Sequence, residues 1–560
     1  MIFATLCELF EQVAATSSVN RKVKLVAGFL RSTPLEEIPI AVHALVGSLI
    51  SRGTGAPTNV GYATILKVAQ QVAGVTDDAL EEARKAHGDL GGAIEALFQD
   101  RKVRQATLFA SQPPTIQEVA KLFDRLQVTG PGSVARKKQW LGAFLARLTG
   151  QEAKYFIRLL LGWLNIGLQS PLVLRAIASV ARVPEESLRR AVMKYPDAGE
   201  LAKIALTEGV GGLDNVQITP LIPVLPMLAM QADSLQGAIH DFGGTLAAEY
   251  KYDGLRLQVH QAEDRVEVFS RRLTRLTDQF PDIVEAWQEV TPGTDCVVEG
   301  ELVGLLGDRI APFQVFMQRL RTYGVADAAE RVPAAVFLFD ILYFEDRDVT
   351  ALSYADRYAI LEQKITPNDT IHLATRKVSS DAAELQEFFD VAVAAGCEGL
   401  MLKDLRANYM PGTRGTRMLK YKKTLDTLDL VLVGAEYGEG KKSALLSRLF
   451  FAAWDETREK LTTVAKVSTG LTDAETQEIS ERITPLVVRE EGRRVEVVPK
   501  LVCEILADEI LESPRFEGGY ALRFARITRI RDDLSVEDAD DAVKILQRYS
   551  TQRSRTLRLT

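Results

Sequence analysis

Three prolines at intervals of three residues, Pro220, Pro223 and Pro226, follow the glycine pair Gly211 and Gly212. Prolines spaced in this way favour an extended, polyproline-like segment, because each proline fixes φ and lacks an N–H donor. Hydrophobic residues recur every three or four positions before this segment and fall in strand-like runs after it. The sequence therefore predicts a connector over residues 209–226 that separates two unlike parts of the chain.

The first part, residues 1–210, has the hydrophobic spacing of successive helices. Three S/T-x-x-E patterns, over residues 33–36, 115–118 and 149–152, predict helix starts with capping boxes. The long apolar run over residues 155–168 predicts a buried central helix. We therefore expect an all-α domain over residues 1–210.

The second part alternates between strand and helix patterns, which predicts an α/β domain over residues 220–425. The predicted strands are residues 265–270, 296–304, 335–344 and 399–403, and the predicted helices are residues 354–365 and 381–395.

A second boundary is predicted near residues 424–427, where short strand-like runs begin to dominate. The spacing of these runs is typical of a small β-barrel over residues 426–560. The predicted strands are residues 428–433, 449–454, 461–467, 495–506 and 521–530, with helical patches at 472–483 and 536–549.

With 46% hydrophobic and 26% charged residues, the chain has an ordinary globular composition. It contains no apolar run of 18 residues, and its start lacks a basic segment followed by a cleavage site. We therefore expect a cytoplasmic protein that does not associate with a membrane. The cysteines form no C-x-x-C pair, which argues against a zinc site or a disulfide framework. They are Cys7, Cys296, Cys397 and Cys503.

The net charge of −7 hides a basic segment. Residues 101–194 contain 16 Lys and Arg against 5 Asp and Glu. Such clustering is typical of proteins that bind a phosphate backbone. The alternative is a helical surface that is rich in basic residues and binds no nucleic acid.

Residues 249–256, E-Y-K-Y-D-G-L-R, place Lys251 after the apolar residues 246–248 and before a D-G turn signal. A lysine at the end of a buried strand can act as a nucleophile if basic neighbours or desolvation help it lose its proton. Arg256 is such a neighbour and can also hold a phosphate. The alternative is a surface hairpin with ordinary charges.

Other strand ends carry residues suited to nucleotide chemistry. Glu301 follows a glycine and Glu398 precedes one, each at a predicted strand. Two carboxylates in such positions could hold Mg²⁺. Phe339 could stack on a purine, and Lys420 and Lys422 fall on one face of a strand, where they could hold a phosphate. The alternatives are solvated glutamates, a core aromatic residue and a basic edge strand.

Seven short motifs occur in a fixed order along the chain, and this series resembles the ordered motifs of the ATP-dependent DNA ligases. The archaeal-type members, which have an N-terminal DNA-binding domain, are the most similar. The motifs are K-Y-D-G-x-R from Lys251, S-R at Ser270, E-G-E-L-V from Glu299, F-D-I-L-Y from Phe339, E-G-L-M-L-K from Glu398, K-Y-K-K from Lys420 and R-F-A-R-I-T-R-I-R from Arg523.

The resemblance implies a role for each candidate residue. Lys251 is the residue that ATP adenylates, and Glu249 is a partner of the adenine amino group. Phe339 lies against the adenine, and Glu301 contacts the ribose or the metal. Arg256 and Arg271 contact the nucleotide or the nick phosphate, Glu398 binds the metal, Arg414, Lys420 and Lys422 bind phosphates, and Arg526, Arg529 and Arg531 orient the pyrophosphate.

The same resemblance implies a helical DNA-binding domain over residues 1–210, a nucleotidyltransferase domain over 220–425 and an OB-fold domain over 426–560. The implied activity is the sealing of nicks in duplex DNA, with ATP as AMP donor and Mg²⁺ or Mn²⁺ as metal. We expect a monomer, associated with the nucleoid if the source is prokaryotic. A sliding-clamp partner is left open.

One position departs from the family pattern. Family members usually close the last motif with R-x-D-K, whereas this chain has Leu534 in place of the lysine. Leucine supplies no cation to a departing pyrophosphate, so we expect lysine adenylation either to be slower or to depend on Arg529 and Arg531. Three alternatives stay open at this point: an RNA-capping guanylyltransferase, an NAD-dependent ligase, and a protein that clamps DNA without sealing it.

Overall fold

The computed structural model describes residues 1–49, 58, 60–87, 89–99, 112–291, 293–307, 309–311, 313–320, 324–422, 427–438, 445–468 and 470–553. Three cations of the basic segment, Arg101, Lys102 and Arg104, lie outside the described residues, as does most of the second predicted boundary, residues 424–426. In the described part, no helix is long and apolar enough to cross a membrane.

The N-terminal region is helical, as predicted, and the helices share one hydrophobic core that reaches from Phe3 to Leu213. Its helices are α1 (Phe3–Ala14), α2 (Val19–Ser32), α3 (Ile38–Leu45), α4 (Tyr62–Ala73), α5 (Asp77–His87), α6 (Leu90–Gln99), α7 (Ile116–Leu126), α8 (Ser133–Leu145), α9 (Gly150–Leu160), α10 (Ser170–Ala181), α11 (Glu185–Lys194) and α12 (Ala198–Asp214).

Two of the three predicted capping boxes are confirmed. Thr115 caps α7 and Thr149 caps α9, each with a glutamate three residues later that bonds back to the cap. The box at Thr33 is wrong: its hydroxyl donates to the carbonyl of Phe29 in the preceding helix, and a 3₁₀ turn follows at Leu35–Glu37. No side chain caps the start of this turn.

The single helix predicted over residues 155–168 is also wrong, because α9 ends at Leu160. Beyond it Gly162, Asn165 and Gly167 all have positive φ, which an α-helix does not allow. The Arg158 side chain reaches forward to the carbonyl of Leu164 and helps hold this turn. The apolar composition continued past the helix, so hydrophobicity alone concealed the break.

The central region contains two mainly antiparallel sheets with helices between and around them. One sheet has the strand order β1-β12-β11-β2-β10, and the other has the order β4-β3-β5-β7-β8, with β6 and β9 at its margins. The strands are β1 (Leu228–Gln231), β2 (Leu246–Lys251), β3 (Leu255–Ala262), β4 (Arg265–Ser270), β5 (Cys296–Leu306), β6 (Arg309–Ile310), β7 (Ala334–Phe344), β8 (Arg347–Asp348), β9 (Ile371–Leu373), β10 (Arg376–Ser379), β11 (Gly399–Lys403) and β12 (Arg414–Lys422).

The helices of this region are α13 (Leu235–Asp241), α14 (Pro281–Val290), α15 (Phe313–Phe316), α16 (Val325–Arg331), α17 (Tyr354–Lys364) and α18 (Ala382–Ala394). Each strand and helix predicted for this region is present within two residues of its predicted limits. β2 continues through a bend at Asp253 and Gly254 into β3, as the D-G signal predicted.

The C-terminal region is rich in strands. Its main sheet has the order β15-β14-β13-β17-β16, and β18 joins β13 to β21. The elements are β13 (Leu428–Tyr437), β14 (Leu446–Asp455), β15 (Lys460–Val467), α19 (Asp473–Ile483), β16 (Val487–Glu491), β17 (Arg494–Val497), β18 (Val502–Leu506), β19 (Glu509–Glu512), β20 (Tyr520–Arg523), β21 (Arg526–Ile530) and α20 (Ala542–Arg553).

Two predicted strands of this region are each divided. The run 495–506 is interrupted at Pro499, which has no N–H for a strand ladder, and the run 521–530 is interrupted at Phe524, whose φ is 51°. The region has its own core. The predicted fold class is confirmed: a helical N-terminal region, a central region with antiparallel sheets, and a strand-rich C-terminal region.

Candidate active site

Lys251 lies at the end of β2, and its ammonium is 2.8 Å from the carboxylate of Glu398. The Lys422 ammonium pairs with the same carboxylate. The sheet register explains this meeting, because Gly399 of β11 lies opposite Lys251 on one side and opposite Lys422 on the other. Residues opposite each other across neighbouring strands present their side chains on the same face.

Pairing with the two lysines lowers the pKa of the Glu398 carboxyl. Burial alone raises its pKa, but the ammonium groups of Lys251 and Lys422 outweigh burial and lower the pKa to about 2. The Glu398 backbone N–H also donates to the Lys251 carbonyl at 2.8 Å. The nucleophile candidate and its carboxylate partner are therefore held together by backbone and side chain alike.

Gly399 makes this close approach of strands possible. Its φ is 144°, which L side chains rarely adopt. A Cβ at this position would overlap the carbonyl oxygen of Tyr421 and come within 3.0 Å of Cα of Lys422. A glycine is therefore required between the two lysines.

Lys420 lies two residues before Lys422 on β12 and therefore on the same face of the sheet. It is opposite Met401 of β11, which is opposite Glu249 of β2. Burial lowers the pKa of Lys420, and repulsion from Lys422 and Lys251 lowers it further. Three ammonium groups concentrated in this way attract a polyanion.

Two more carboxylates, Asp253 and Glu301, lie near this cluster. Burial raises the pKa of Asp253 to about 7, with added repulsion from Glu398 and Glu509. Burial likewise raises the pKa of Glu301 to about 7, although Lys251 and Arg256 oppose the shift. Both groups would be stabilised in their charged form by a nearby cation.

Arg256 is held by a buried network that sequence reasoning missed. Its guanidinium is 2.7 Å from Glu299, a fully buried carboxylate, and donates to the carbonyl of Met227 at 2.7 Å. The Tyr409 hydroxyl also donates to Glu299, at 2.7 Å. Arg271 is exposed, and its backbone N–H donates to the Arg256 carbonyl at 3.0 Å, so the S-R motif lies beside Arg256.

A β-bulge places Phe339 beside the site. Glu299 is opposite Asp340 and Gly300 is opposite Leu338, so Phe339 falls between two strand pairs. Bulges commonly redirect a side chain in this way. The half-buried ring has the Lys403 ammonium 4.6 Å from its centroid and the Arg256 guanidinium 5.4 Å away.

Glu249 is buried, and its carboxylate is already engaged. The Lys403 ammonium is 2.7 Å away, and the Tyr354 hydroxyl donates to the other oxygen. Neither Lys403 nor Tyr354 was singled out from the sequence. Lys403 closes the E-G-L-M-L-K motif but was given no role, and the only signal for Tyr354 was its position in a predicted helix.

The arginines of the last motif differ in their ion-pair partners. Arg526 is 3.3 Å from Asp508, which is itself 3.6 Å from Lys422. Arg529 pairs instead with Glu504 at 3.3 Å. Arg531 pairs with Asp429 at 2.9 Å and with Asp533 at 2.7 Å, so the last two arginines bond within the C-terminal region.

Two other candidates lie at the margin. Arg414 begins β12, is exposed, and lies opposite Leu228 of β1. Leu534 follows β21, and its backbone N–H donates to the Arg531 carbonyl at 3.3 Å. By contrast Arg523, which no role was assigned to, comes within 3.8 Å of Asp253.

Three family models match the chain in succession. They describe the DNA ligase N terminus over residues 2–178, the ATP dependent DNA ligase domain over 226–422 and the ATP dependent DNA ligase C terminal region over 442–534. Their order is the order of the three regions of the fold.

Curated relatives match over nearly the whole chain. A DNA ligase of Thermococcus fumicolans is 37% identical over 555 residues, covering 99% of each chain. A DNA ligase of Archaeoglobus fulgidus is 36% identical over 554 residues, covering 98% of each. Both values are far above chance for alignments of this length.

A solved structure named Pmar-Lig_PreS3 has a TM-score of 0.55 with 16% identity, covering 94% of this chain and 99% of that one. It supports the fold. The full-length relatives and the three family models together confirm the resemblance found in the motifs, and the chain belongs to the ATP-dependent DNA ligase family.

Proposed function

We propose that this protein seals nicks between a 5′-phosphate and a 3′-hydroxyl in duplex DNA, with ATP as the source of AMP and a lysyl-AMP intermediate at Lys251. The observation that carries the proposal is the row formed by Lys251, Glu398 and Lys422 at the end of one sheet. A nucleophilic amine beside a cluster of cations suits attack on a phosphate.

In the first step Lys251 must lose a proton, which passes to solvent, before its nitrogen can attack the α-phosphorus of ATP. The N–P bond forms, the bond from α-phosphorus to the bridging oxygen breaks, and that oxygen leaves with the electron pair as pyrophosphate. The second amine proton also passes to solvent. Lys420 and Lys422 lie on the same sheet face and neutralise the α-phosphate charge.

In the second step an oxygen of the nick 5′-phosphate attacks the phosphorus of lysyl-AMP, the P–N bond breaks, and the Lys251 nitrogen takes up a proton from solvent as it leaves as the amine. In the third step the adjacent 3′-hydroxyl attacks the 5′-phosphorus, loses its proton to solvent and releases AMP. Arg256 and Arg271, whose backbones are bonded to each other, supply cations for the nick phosphate or the nucleotide. Arg414 supplies a further cation at the exposed start of β12.

We propose that the adenine binds beside Phe339; the bulge in β7, which leaves this ring half-buried next to the cation cluster, supports this. Glu249 lies behind it, with Lys403 between the carboxylate and the ring. We propose that Glu249 accepts from the adenine amino group through the lone pairs that Lys403 and Tyr354 leave open.

Glu301 and Glu398 fit a Mg²⁺ or Mn²⁺ ion. Carboxylate oxygens are the ligands these ions prefer. Burial raises the pKa of Glu301 and repulsion from Glu398 adds to the shift, and a bound dication would offset both effects. The described residues hold no group of three or more His, Cys, Asp or Glu side chains arranged around a metal, so phosphate oxygens and water would complete the coordination. When bound, the ion offsets the charge that develops on the phosphates.

We divide the chain into a DNA-binding domain over residues 1–210, a nucleotidyltransferase domain over 220–425 and an OB-fold domain over 426–560. Exposed cations of the basic segment, such as Arg125, Arg136 and Lys138, suit contacts to the DNA backbone that carry no sequence information. A monomer and a sliding-clamp partner stay predictions.

The test uses purified protein, α-labelled ATP, Mg²⁺ and then a nicked duplex. We expect label on the wild-type protein and on Lys377→Ala, a change of a partly exposed lysine on β10, but none on Lys251→Ala. Sealed DNA should follow with the first two proteins only. Label from GTP or NAD in preference to ATP, or label without sealing, would contradict the proposal.

A further inference from the structure

Arg523, the last residue of β20, extends from the C-terminal domain to the Lys251 site. Its guanidinium is 2.9 Å from Glu509 and 3.8 Å from Asp253. Asp253 is in the bend that directly follows β2, two residues after Lys251. The arginine therefore joins the two domains at the nucleophile itself.

Two aromatic rings enclose the same guanidinium. Phe313 of the nucleotidyltransferase domain lies with its centroid 5.0 Å from Cζ of Arg523, and Phe524 lies 4.9 Å away. Contacts of this kind orient a guanidinium plane and limit its rotation. Arg523 is thus positioned from both domains.

The backbone after Arg523 is unusual. Phe524 has a φ of 51° and a side chain that is 62% exposed, although bulky residues rarely adopt this conformation. Strained residues of this kind persist where the surrounding structure requires them. Phe524 opens the turn between β20 and β21, directly after Arg523.

The neighbouring arginines are placed differently. Arg529 and Arg531 pair with carboxylates of their own domain, and Leu534 carries no charge. Among the motif arginines of the described chain, Arg523 is the one that pairs directly with a carboxylate of the nucleotidyltransferase domain.

We propose that Arg523 is the catalytic cation that the C-terminal domain supplies to the departing pyrophosphate of ATP, in place of the lysine that Leu534 replaces. This inference rests on the proposed function. Arg523 donates N–H groups to the bridging oxygen and a terminal phosphate oxygen as the bond from α-phosphorus to that oxygen breaks. Arg523 keeps its protons throughout.

The contact of Arg523 with Asp253 is suited to exchange, whereas Glu509 of its own domain bonds the guanidinium at 2.9 Å. The 3.8 Å separation from Asp253 is longer than a hydrogen-bonded ion pair, and both side chains are about one quarter exposed. A polyphosphate offers a guanidinium two oxygens in the geometry it prefers. ATP entering beside Lys420 and Lys422 would therefore compete well for Arg523.

The experiment measures single-turnover reactions of the whole chain for wild type, Arg523→Ala, Arg523→Lys and Arg489→Ala. Arg489 lies in β16, is 61% exposed and is the matched control. We expect Arg523→Ala to slow the labelling of Lys251 from ATP about 100-fold relative to wild type. Arg523→Lys should label about tenfold faster than Arg523→Ala. Sealing of a nick that already carries AMP should stay within about threefold for all variants, because pyrophosphate takes no part in it.

A second measurement separates catalysis from folding. The adenylated protein is mixed with pyrophosphate, and ATP formation is followed; Arg523→Ala should require at least about tenfold more pyrophosphate for half-maximal rate. The inference would be overturned if Arg523→Ala labelled Lys251 as fast as wild type does. It would also be overturned if Arg523→Ala lost lysine labelling and the sealing of adenylated nicks to the same extent. If Arg523→Ala does not fold, unchanged labelling and pyrophosphate dependence in Arg523→Lys would overturn it. Failure of the wild type to label would instead defeat the proposed function.

Discussion

The candidate site has two halves that are built in different ways. The lysine half, with Lys251, Glu398, Lys420 and Lys422, belongs to adjacent strands of one sheet, so backbone register sets its geometry. The arginine half comes from another domain and reaches the first through ion-pair contacts of 3.6 to 3.8 Å. Such partly exposed pairs contribute only about 0 to 1 kcal/mol each.

This difference indicates how one site can serve three reactions. The nucleophile of the first step and its phosphate-binding neighbours are fixed in place by the sheet. If the arginine half serves the departing pyrophosphate as proposed, its contacts are weak enough to break, and we expect the C-terminal domain to withdraw before DNA binds. The following changes test that division, beginning with the largest expected effect.

Gly399→Ala should break the lysine half. The added methyl group meets the backbone of β12, so β11 and β12 must separate and Lys422 must move away from Glu398. We expect a loss of lysine labelling of more than about 100-fold and a loss of unfolding free energy of about 2 to 4 kcal/mol. Urea unfolding and labelled ATP measure the two effects.

Gly28→Ala is the control, because Gly28 lies in α2 with no atom within 4 Å of the added methyl. It should keep full labelling and gain slightly in stability. Normal labelling by Gly399→Ala would show that strand register does not hold the lysine half together.

Glu398→Gln should keep the sheet but remove the charge shared by Lys251 and Lys422. The amide cannot pair with either ammonium as a carboxylate does, and it is a weaker metal ligand. We expect lysine labelling to fall about 10- to 100-fold, with a higher Mg²⁺ requirement. Glu387→Gln, an exposed change on α18, is the control. An unaltered Mg²⁺ titration would contradict the metal role of Glu398.

Glu301→Gln should change how stability depends on pH. The folded-state pKa of Glu301 is raised from 4.5 to about 7, so between these values the folded chain binds more protons than the unfolded chain. Stability contributed by protonated Glu301 is therefore lost as pH rises from 4.5 through 7. In urea unfolding at pH 5 and pH 8, the variant should show a smaller difference than wild type by roughly 1 to 2 kcal/mol, allowing for solvent screening. If the unfolding free energy changed between pH 5 and pH 8 by the same amount in the variant and in wild type, the raised pKa of Glu301 would be refuted.

The sequence predicted the lysine half better than the arginine half. The strand before Lys251 is signalled by its own apolar residues, and the shared face of Lys420 and Lys422 follows from a spacing of two. The partners of buried Glu249 and Glu299, however, include Tyr354 and Tyr409, which are 105 and 110 residues away. No local pattern reports contacts of that range.

The arginines were predicted only as a group for a similar reason. A segment with arginines at every second or third position indicates a strand with cations, but it does not say which arginine faces another domain. Arg523 directly precedes the turn at Phe524, and the positive φ of that residue has no signature in a phenylalanine. The prediction for the basic segment of the N-terminal domain was limited in the same way, because composition gives the number of charges but not their positions on the surface.

Leu534→Lys should have the smallest effect. Leu534 is half-buried beside Arg531, which is already bound to Asp429 and Asp533, so a lysine there adds one cation to a neighbourhood of paired charges. If Arg523 supplies the cation for pyrophosphate, the added lysine should speed lysine labelling by only about two- to fivefold, the value of one exposed ion pair. Leu534→Met, which adds no charge, controls for packing. An unchanged single-turnover rate would show that position 534 does not act on pyrophosphate, and an increase of 100-fold would show that the arginine half lacks the cation we assign to it.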